Sequence, residues 1–360
     1  MNIAVLGSGN GGCAIAFDCA AHGHKVSLFD FPQFPESIKA IQENGGIACE
    51  GVLKGFQKVA YAGHEIEKTL EGADIIYAVG PAYSTKPFAE ICKPYLRPGQ
   101  IVIVCPGSSG GCIEFKNCAG LELRDEEILV AETSTLPYAV RVLEPGKIRI
   151  FNKLKSGLFV AAVPAKKTAF VQEQVHDVYP AMIAAKNVLQ TSLQNGNPVI
   201  HPAVTLMNVA LIERVNCDFD FYQQGVTPAV GRLMEGVDKE RIEIGNKLGV
   251  HVIPDPELGV TQGYMTEATY DNGFITAPGF QGVKAQTDLN YRYFNEDVAY
   301  GLVFFQKLAE QVEVETPVIS AIITLVSLLM KRDYLKEAVR TMETLGLSQY
   351  TAEELETLLA

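Results

Sequence analysis

The 360-residue chain has no Pro-rich or Gly/Ser-rich low-complexity tract and no stretch of disordered composition, so all of it is expected to fold. It is short of positive charge. Thirty basic residues against 42 acidic ones leave a net charge of -12, the opposite of the footprint that binding a phosphate backbone requires, which argues against nucleic acid as a partner. Long apolar runs are missing too. The most apolar stretch, Val318–Met330, is shorter than the roughly 18 residues of a membrane span and carries Ser320, Thr324 and Ser327, so it reads as a buried helix and no membrane partner is expected. Met1 leads directly into the apolar run Ile3–Leu6, without the basic and apolar regions of a secretory signal, and a cytoplasmic protein is expected. The eight cysteines, Cys13, Cys19, Cys49, Cys92, Cys105, Cys112, Cys118 and Cys217, show neither C-x-x-C spacing nor zinc-type pairing with nearby histidines. They are expected to be reduced thiols in apolar surroundings, with no metal site.

What is present is ordinary for an α/β protein: 48% hydrophobic residues, 20% charged residues and 32 glycines. The length exceeds what one core usually supports and predicts two domains. Up to about residue 140, short β runs alternate with helical stretches, the pattern of a parallel sheet wrapped by helices. Candidate strands are Asn2–Leu6, Lys25–Phe29, Ile75–Val79, Ile101–Cys105 and Ile128–Glu132. Most run into glycine, proline or small polar residues (Gly7–Gly12, Gly80–Pro81, Pro106–Gly111, Thr133–Pro137), as strands entering a ligand-facing loop do. Arg141–Val163 reads as antiparallel strands extending the sheet edge. After Val188 long helical segments take over: Pro202–Arg214, Val230–Leu248, Asn295–Val312, Pro317–Met330, Leu335–Leu345 and Ala352–Leu359. Thr316 before Pro317 predicts a hydroxyl-capped helix start.

The start of the chain carries the most specific local pattern. Strand Ile3–Leu6 runs into Gly7-Ser8-Gly9-Asn10-Gly11-Gly12, a G-x-G-x-x-G motif followed by a helical stretch that closes near Gly23. Gly7 permits the tight turn, Gly9 admits a pyrophosphate close to backbone, and Gly12 lets helix and strand pack closely; the helix N-terminus supplies N–H groups and partial positive charge. Asp30 stands at the end of the second strand, 18 residues beyond Gly12, where a carboxylate accepts from ribose hydroxyls and repels a 2′-phosphate. The expected fold class is therefore α/β, an N-terminal Rossmann-type doubly wound sheet over residues 1–186 followed by an all-helical domain over 187–360, with NAD as cofactor. Turn glycines that bind nothing, a solvated Asp30 and a flavin cofactor are the alternatives.

The chemistry should lie in the helical half. His201 stands at a helix start with Pro202 in the first turn and Asn208 about two turns on, and Arg292 and Asp297 stand five residues apart at another helix start. Histidine can accept and return a proton near neutral pH, a carboxylate on its far nitrogen fixes the tautomer, and a guanidinium holds a carboxylate bidentately. The bland alternatives are a capping histidine and a solvated Arg292–Glu296 bridge at i,i+4. His22, His24, His64, His176 and His251 sit in contexts that suit structural or solvated residues.

At this point the chain resembles the octopine/nopaline (opine) dehydrogenase family, close to its bacterial N-(1-carboxyethyl)-amino-acid dehydrogenase type. The resemblance runs along essentially the whole chain. It rests on the G-x-G-N-G-G start, Glu132-Thr-Ser, N-x-x-x-H-P at Asn197–Pro202, T-P-x-V-G at Thr227–Gly231 and R-Y-F-x-E-D at Arg292–Asp297. It implies NADH-dependent reductive condensation of a 2-keto acid, typically pyruvate, with the amino group of an amino acid, with His201 catalytic, Asp297 its partner and Arg292 the substrate anchor. The rivals are a ketopantoate reductase-like enzyme, which resemblance within that family would lead one to expect with a lysine near His201, and an NAD-sensing protein without turnover. Val318–Met330 and the C-terminal helices offer surface for a homodimer.

Overall fold

The computed structural model describes residues 1–214 and 218–360, so Cys217 lies outside the described residues. The chain separates into two compact units, residues 1–191 together with Leu359 and Ala360, and residues 192–358.

The first unit contains strands β1 (Asn2–Leu6), β2 (Lys25–Phe29), β3 (Gly46–Gly51), β4 (Gly55–Lys58), β5 (Tyr61–Gly63), β6 (Ile75–Ala78), β7 (Ile101–Val104), β8 (Leu129–Thr133), β9 (Tyr138–Glu144), β10 (Lys147–Lys153), β11 (Leu158–Val163) and β12 (Met182–Ala184). Eight of them form one sheet in the order β12-β11-β8-β7-β6-β1-β2-β5. The six strands from β5 to β8 are parallel throughout, and the order reverses direction between β1 and β6, the switch point of a doubly wound sheet. Strands β6, β7 and β8 are buried along their whole length, as strands covered on both faces must be. The Rossmann-type assignment from sequence is what the chain adopts.

Arg141–Val163 departs from expectation. Only β11 extends the main sheet, antiparallel to β8. Strands β9 and β10 belong to a separate four-stranded sheet, ordered β4-β3-β10-β9. The reason lies in their alternation: Ile148 and Ile150 are buried while Arg149 and Phe151 are exposed, so β10 has one face for a core and one for water. Its free edge pairs in parallel with β3. The sequence hid β3–β5 because they are short and interrupted by glycines, among them Gly51 at φ +110°, where a side chain would overlap the Ile150 carbonyl.

This second sheet braces the helix that follows the glycine loop, Asn10–Ala21. Asp18, fully buried on that helix, accepts from Tyr138 Oη at 2.6 Å and pairs with Lys153 Nζ at 2.6 Å, and Asn10 Oδ1 accepts from Val142 N at 2.6 Å. One helix end and its middle are thereby fixed by β9 and β10.

The second unit is predominantly helical, with one isolated antiparallel bridge between Asp220 and Lys284. Several helix limits differ from expectation. The first long helix runs Asn197–Met207, beginning five residues before the expected Pro202, so Pro198 occupies its first turn and His201 lies inside it. Asn208 closes it, donating to Val204 O and Gly225 O. Pro317–Met330 forms as read, but Thr316 does not cap it; the Glu240 carboxylate accepts from Val318 N at 2.7 Å and Ile319 N at 2.9 Å instead. A carboxylate on two N–H groups at the positive end of a helix outcompetes a single hydroxyl. The expected continuous helix Asn295–Val312 contains a π-turn over Asp297–Leu302 before the α-helix Val303–Gln311. Leu335–Leu345 is not helical. Thr341 and Thr344 exchange side-chain to backbone hydrogen bonds that compete with a helix ladder, and Arg340 is drawn inward over the Tyr300 ring. Among the described residues no helix is long and apolar enough to cross a membrane.

A buried ionic cluster anchors the start of the Asn197–Met207 helix. Arg241 Nε donates to Asp238 Oδ1 at 2.6 Å, while its Nη1 and Nη2 donate to the Leu193 and Ile253 carbonyls. Asp238 Oδ2 accepts from Asp255 N and Tyr270 Oη, and Asp255 packs against Gly196, where any side chain would overlap its carboxylate. Burial, reinforced by the Asp238 charge and opposed by Arg241, pushes the Asp255 carboxyl up to about 7.

That shift has a stability consequence of definite sign. In the folded protein Asp255 keeps a proton that the unfolded chain has already lost above pH 4, so its contribution is full at low pH and declines as pH rises toward 7. We expect Asp255→Asn to remove a fall in unfolding free energy on the order of 1 kcal/mol per pH unit between pH 5 and 7. Urea titrations of both proteins across that range are the check.

Candidate active site

The glycine loop has the shape a dinucleotide needs. Gly7 turns at φ +103°, and its N–H donates to Phe29 O at 2.8 Å. A side chain at Gly7 would overlap Val79 O, and one at Gly12 would overlap Gly7 O, so both are fixed as glycine by the fold itself. Gly11 is tight against Leu136, whereas a Cβ at Gly9 would meet nothing within 4 Å. Gly9 is thus open where the others are closed by protein. The Asn10–Ala21 helix has no side-chain cap and no acidic residue in its first turn, leaving its N–H groups for an anion.

A second glycine-led helix, Gly111–Ala119, provides the contrast. Glu132, fully buried at the end of β8, accepts from Cys112 N at 2.8 Å in that helix's first turn and from Thr191 Oγ1 at 2.7 Å. One helix start already holds a carboxylate. The other does not, and it is the one that the sequence motif marks.

Asp30 is buried, and its carboxylate is engaged by the loop: Oδ2 accepts from Ser8 N and Ser8 Oγ, both at 2.6 Å, and Oδ1 from Phe31 N at 2.8 Å. The backbone carbonyl of Asp30 meets His64 Nδ1 at 2.8 Å. This tie between Asp30 and Ser8 escaped the sequence, because only the folded turn brings the end of β2 over the loop. Nearby thiols are inert. Burial pushes Cys13, Cys92 and Cys105 up to about 12, which keeps them protonated.

In the second unit the histidine and the carboxylate meet. His201 Nδ1 lies 2.7 Å from Asp297 Oδ2, although 96 residues separate them, and both are buried. Because a carboxylate only accepts, the contact puts a proton on Nδ1 and leaves Nε2 as the nitrogen that can offer a lone pair. The approach depends on Gly301 in the π-turn, where a side chain would overlap Pro198 of the histidine helix. Asp297 opens that same turn, and π-turns inside helices recur at functional sites.

Aromatic rings complete the setting. Tyr293 stacks on the imidazole with centroids 3.9 Å apart, Phe221 approaches edge-on at 6.0 Å, and Tyr222 Oη lies 3.2 Å from Nε2. None of the three was singled out from sequence. Tyr293 lies within the R-Y-F-x-E-D run, and Tyr222 has no motif around it.

Arg292 sits at the first turn of the short helix Arg292–Asn295, five residues before Asp297. It forms the i,i+4 bridge, Nε and Nη2 reaching Glu296 Oε2 at 2.8 and 2.7 Å, with Glu296 buried and the arginine half exposed. The bridge uses Nε and Nη2 and leaves Nη1 outside it.

Comparison with known proteins follows this division. Residues 184–330 match the family model described as NAD/NADP octopine/nopaline dehydrogenase, alpha-helical domain, and residues 2–110 match that of the NAD-dependent glycerol-3-phosphate dehydrogenase N-terminus. The chain is 37% identical to the opine dehydrogenase of Arthrobacter sp. (strain 1C), over 97% of this chain and 96% of that one. It is 24% identical to the protein ocs of Agrobacterium tumefaciens (strain Ach5), over 98% and 97% of the two chains. Among solved structures it is similar to an octopine dehydrogenase in complex with NADH and agmatine, with a TM-score of 0.81 at 17% identity, covering 99% of this chain and 98% of that one.

The glycine geometry yields a clean test. Gly9→Ala adds a methyl group that touches no protein atom, so the melting temperature should stay within about a degree while affinity for NADH falls at least tenfold, roughly 1.4 kcal/mol. NADH fluorescence titration and a thermal melt on the same sample would show whether the two separate. Equal NADH affinity in variant and wild type would mean that no ligand approaches at Gly9.

Proposed function

This chain belongs to the octopine/nopaline dehydrogenase family of nicotinamide-dependent oxidoreductases, and from that premise we propose that it condenses a 2-keto acid, pyruvate foremost, with the amino group of an amino acid and reduces the product with NADH. The observation that carries this reading is the buried contact between His201 Nδ1 and Asp297 Oδ2, which leaves Nε2 as a base.

Gly7, Gly9, Asn10, Gly11 and Gly12 would hold NADH, which when bound would supply the hydride. Asp30 would meet a ribose hydroxyl, and no arginine follows it: the next residues are Phe31, Pro32 and Gln33. A 2′-phosphate would lie beside a buried carboxylate without a compensating cation, so NADH should be preferred over NADPH.

The remaining steps belong to side chains. The substrate's ammonium group loses a proton that ends on His201, and the freed lone pair attacks the keto carbon; a second proton passes from that nitrogen to the former keto oxygen to give the carbinolamine. The proton held on His201 then goes to this hydroxyl, which leaves as water, and the resulting iminium carbon is the one that would receive hydride. Asp297 holds the tautomer and stabilises the imidazolium between the two transfers. Arg292 would hold the keto-acid carboxylate through its Nη1 side, with Glu296 fixing the guanidinium plane.

A matrix of keto acids against amino acids, read as NADH oxidation by absorbance, tests the reading. Turnover should require both partners and give a secondary-amine dicarboxylate. Pyruvate reduced alone to lactate at the full rate, with amino acids inert, would favour a ketopantoate reductase-like activity instead. No turnover with any pair would leave a nucleotide-sensing role.

Arg292 separates anchor from scaffold. Arg292→Lys keeps the charge and loses the planar fork, so the KM for pyruvate should rise at least tenfold, equivalent to about 1.4 kcal/mol, with NADH affinity nearly unchanged. A lysine that merely replaces the arginine in its bridge to Glu296 would leave KM at the wild-type value.

A further inference from the structure

Four side chains surround the imidazole of His201. Asp297 occupies Nδ1, Tyr293 covers a face, Phe221 abuts an edge, and the Tyr222 hydroxyl sits on Nε2, the nitrogen that would act as base. A substrate that used Nε2 directly would have to displace a buried hydrogen bond and open this packing. A hydroxyl need not be displaced, because it donates and accepts at once.

Tyr222 is held where such a role requires it. Its ring is 6% exposed and stacks on Phe280 at 4.3 Å between centroids, with Phe274 parallel at 6.3 Å and Phe221 edge-on at 5.1 Å. The backbone just before it is pinned by a two-stranded pairing: Phe221 N donates to Val283 O at 2.7 Å, Ala285 N to Phe219 O at 3.0 Å, and Asp220 bridges Lys284. Swinging the phenol away from His201 would disrupt the ring stack.

We propose that Tyr222 is a catalytic residue, the outer member of a three-part chain Asp297–His201–Tyr222 that meets the substrate; the inference rests on the reductive condensation proposed above. When the substrate's ammonium group loses a proton to Tyr222 Oη, the hydroxyl's own proton moves to His201 Nε2 and Asp297 balances the imidazolium; the freed amine attacks the keto carbon, and one of its remaining protons passes to the oxygen to give the carbinolamine. In the return step Nε2–H gives its proton to Tyr222 Oη as the phenol gives its own to the carbinolamine hydroxyl, which departs as water. Tyr222 and His201 end each cycle unchanged, and no oxidant or further reactant is consumed.

Tyr222→Phe in the full-length chain deletes one oxygen and keeps the ring in its stack. With pyruvate and an amine that the wild type accepts, kcat should fall at least 100-fold, in the range that general acid–base catalysis contributes, while NADH affinity and melting temperature hold. Two further readouts exclude a merely structural effect. The limb of the kcat–pH profile assigned to His201, whose titratable neighbours are Asp297, Tyr222 and Tyr293, should shift or vanish, and the curved proton inventory of a two-proton transfer in the wild type should become linear. A kcat within threefold of wild type would overturn the proposal, as would a slower variant with unaltered pH profile and proton inventory. Absence of amine-dependent turnover in the wild type sinks both readings together, whereas full turnover in Tyr222→Phe sinks this one alone.

Discussion

The hydrogen bond between His201 and Asp297 is the contact on which the chemistry proposed for the second unit depends, and the local structure of two elements permits it. The residues lie 96 positions apart, on a regular helix and on a π-turn, and the two elements approach closely only because residue 301 is glycine where Pro198 packs. The start of the histidine helix is held by a fully buried Arg241, which ties the carbonyls of Leu193 and Ile253 to one another and to Asp238. A buried pair of this kind is weak evidence for stability, since hydrophobic replacements often do as well; what it does supply is a defined geometry. A general base must lie within hydrogen-bonding reach of the proton it moves, and fixing the segment before Asn197 limits where His201 can be.

The first unit applies the same logic to phosphate recognition. Two helices begin at glycines beside the carboxyl ends of strands, and their fates differ by one side chain. Glu132 fills the N-terminal N–H of Gly111–Ala119, whereas nothing comparable caps Asn10–Ala21. The open helix is also the one braced from outside the main sheet, through Asp18, Tyr138, Lys153 and Asn10. An uncapped, rigidly held N-terminus is a preorganised anion site, and rigidity there reduces the ordering cost of binding.

What could be read from sequence divides along the range of the interactions involved. The glycine loop, β1, β2 and Asp30 are local in the chain, and the strand–loop–helix–strand order made them legible. Pro317 opening its helix was legible for the same reason; Glu240 as its cap was not, because 78 residues separate it from Val318. The sheet of β3, β4, β9 and β10 failed at the same point: each strand is short, and only a parallel pairing between β3 and β10 shows why β10 leaves the main sheet. His201, Arg292 and Asp297 stood out by residue type at helix starts, and the family resemblance gave them roles; a pairing across 96 residues was not legible in spacing. Tyr222 and Tyr293 were missed because an aromatic residue beside a histidine is a three-dimensional fact. Leu335–Leu345 carried a helical pattern that lost to the Thr341 and Thr344 hydroxyls and to the burial of Arg340.

Asp297 sets the proton on His201 Nδ1 and leaves Nε2 unprotonated, and nitrogen-15 NMR of histidine-labelled protein measures this directly. With no substrate present and above the pH at which the ring is charged, the His201 Nδ1 resonance should fall in the protonated-nitrogen range with a one-bond proton coupling, and Nε2 in the range of a lone-pair nitrogen shifted by its contact with a hydroxyl. In Asp297→Asn that preference should weaken or reverse, because an amide can donate to Nδ1 as well as accept. A wild-type spectrum in which Nε2 bears the proton would contradict the account, since the nitrogen assigned as base would then have no lone pair to offer.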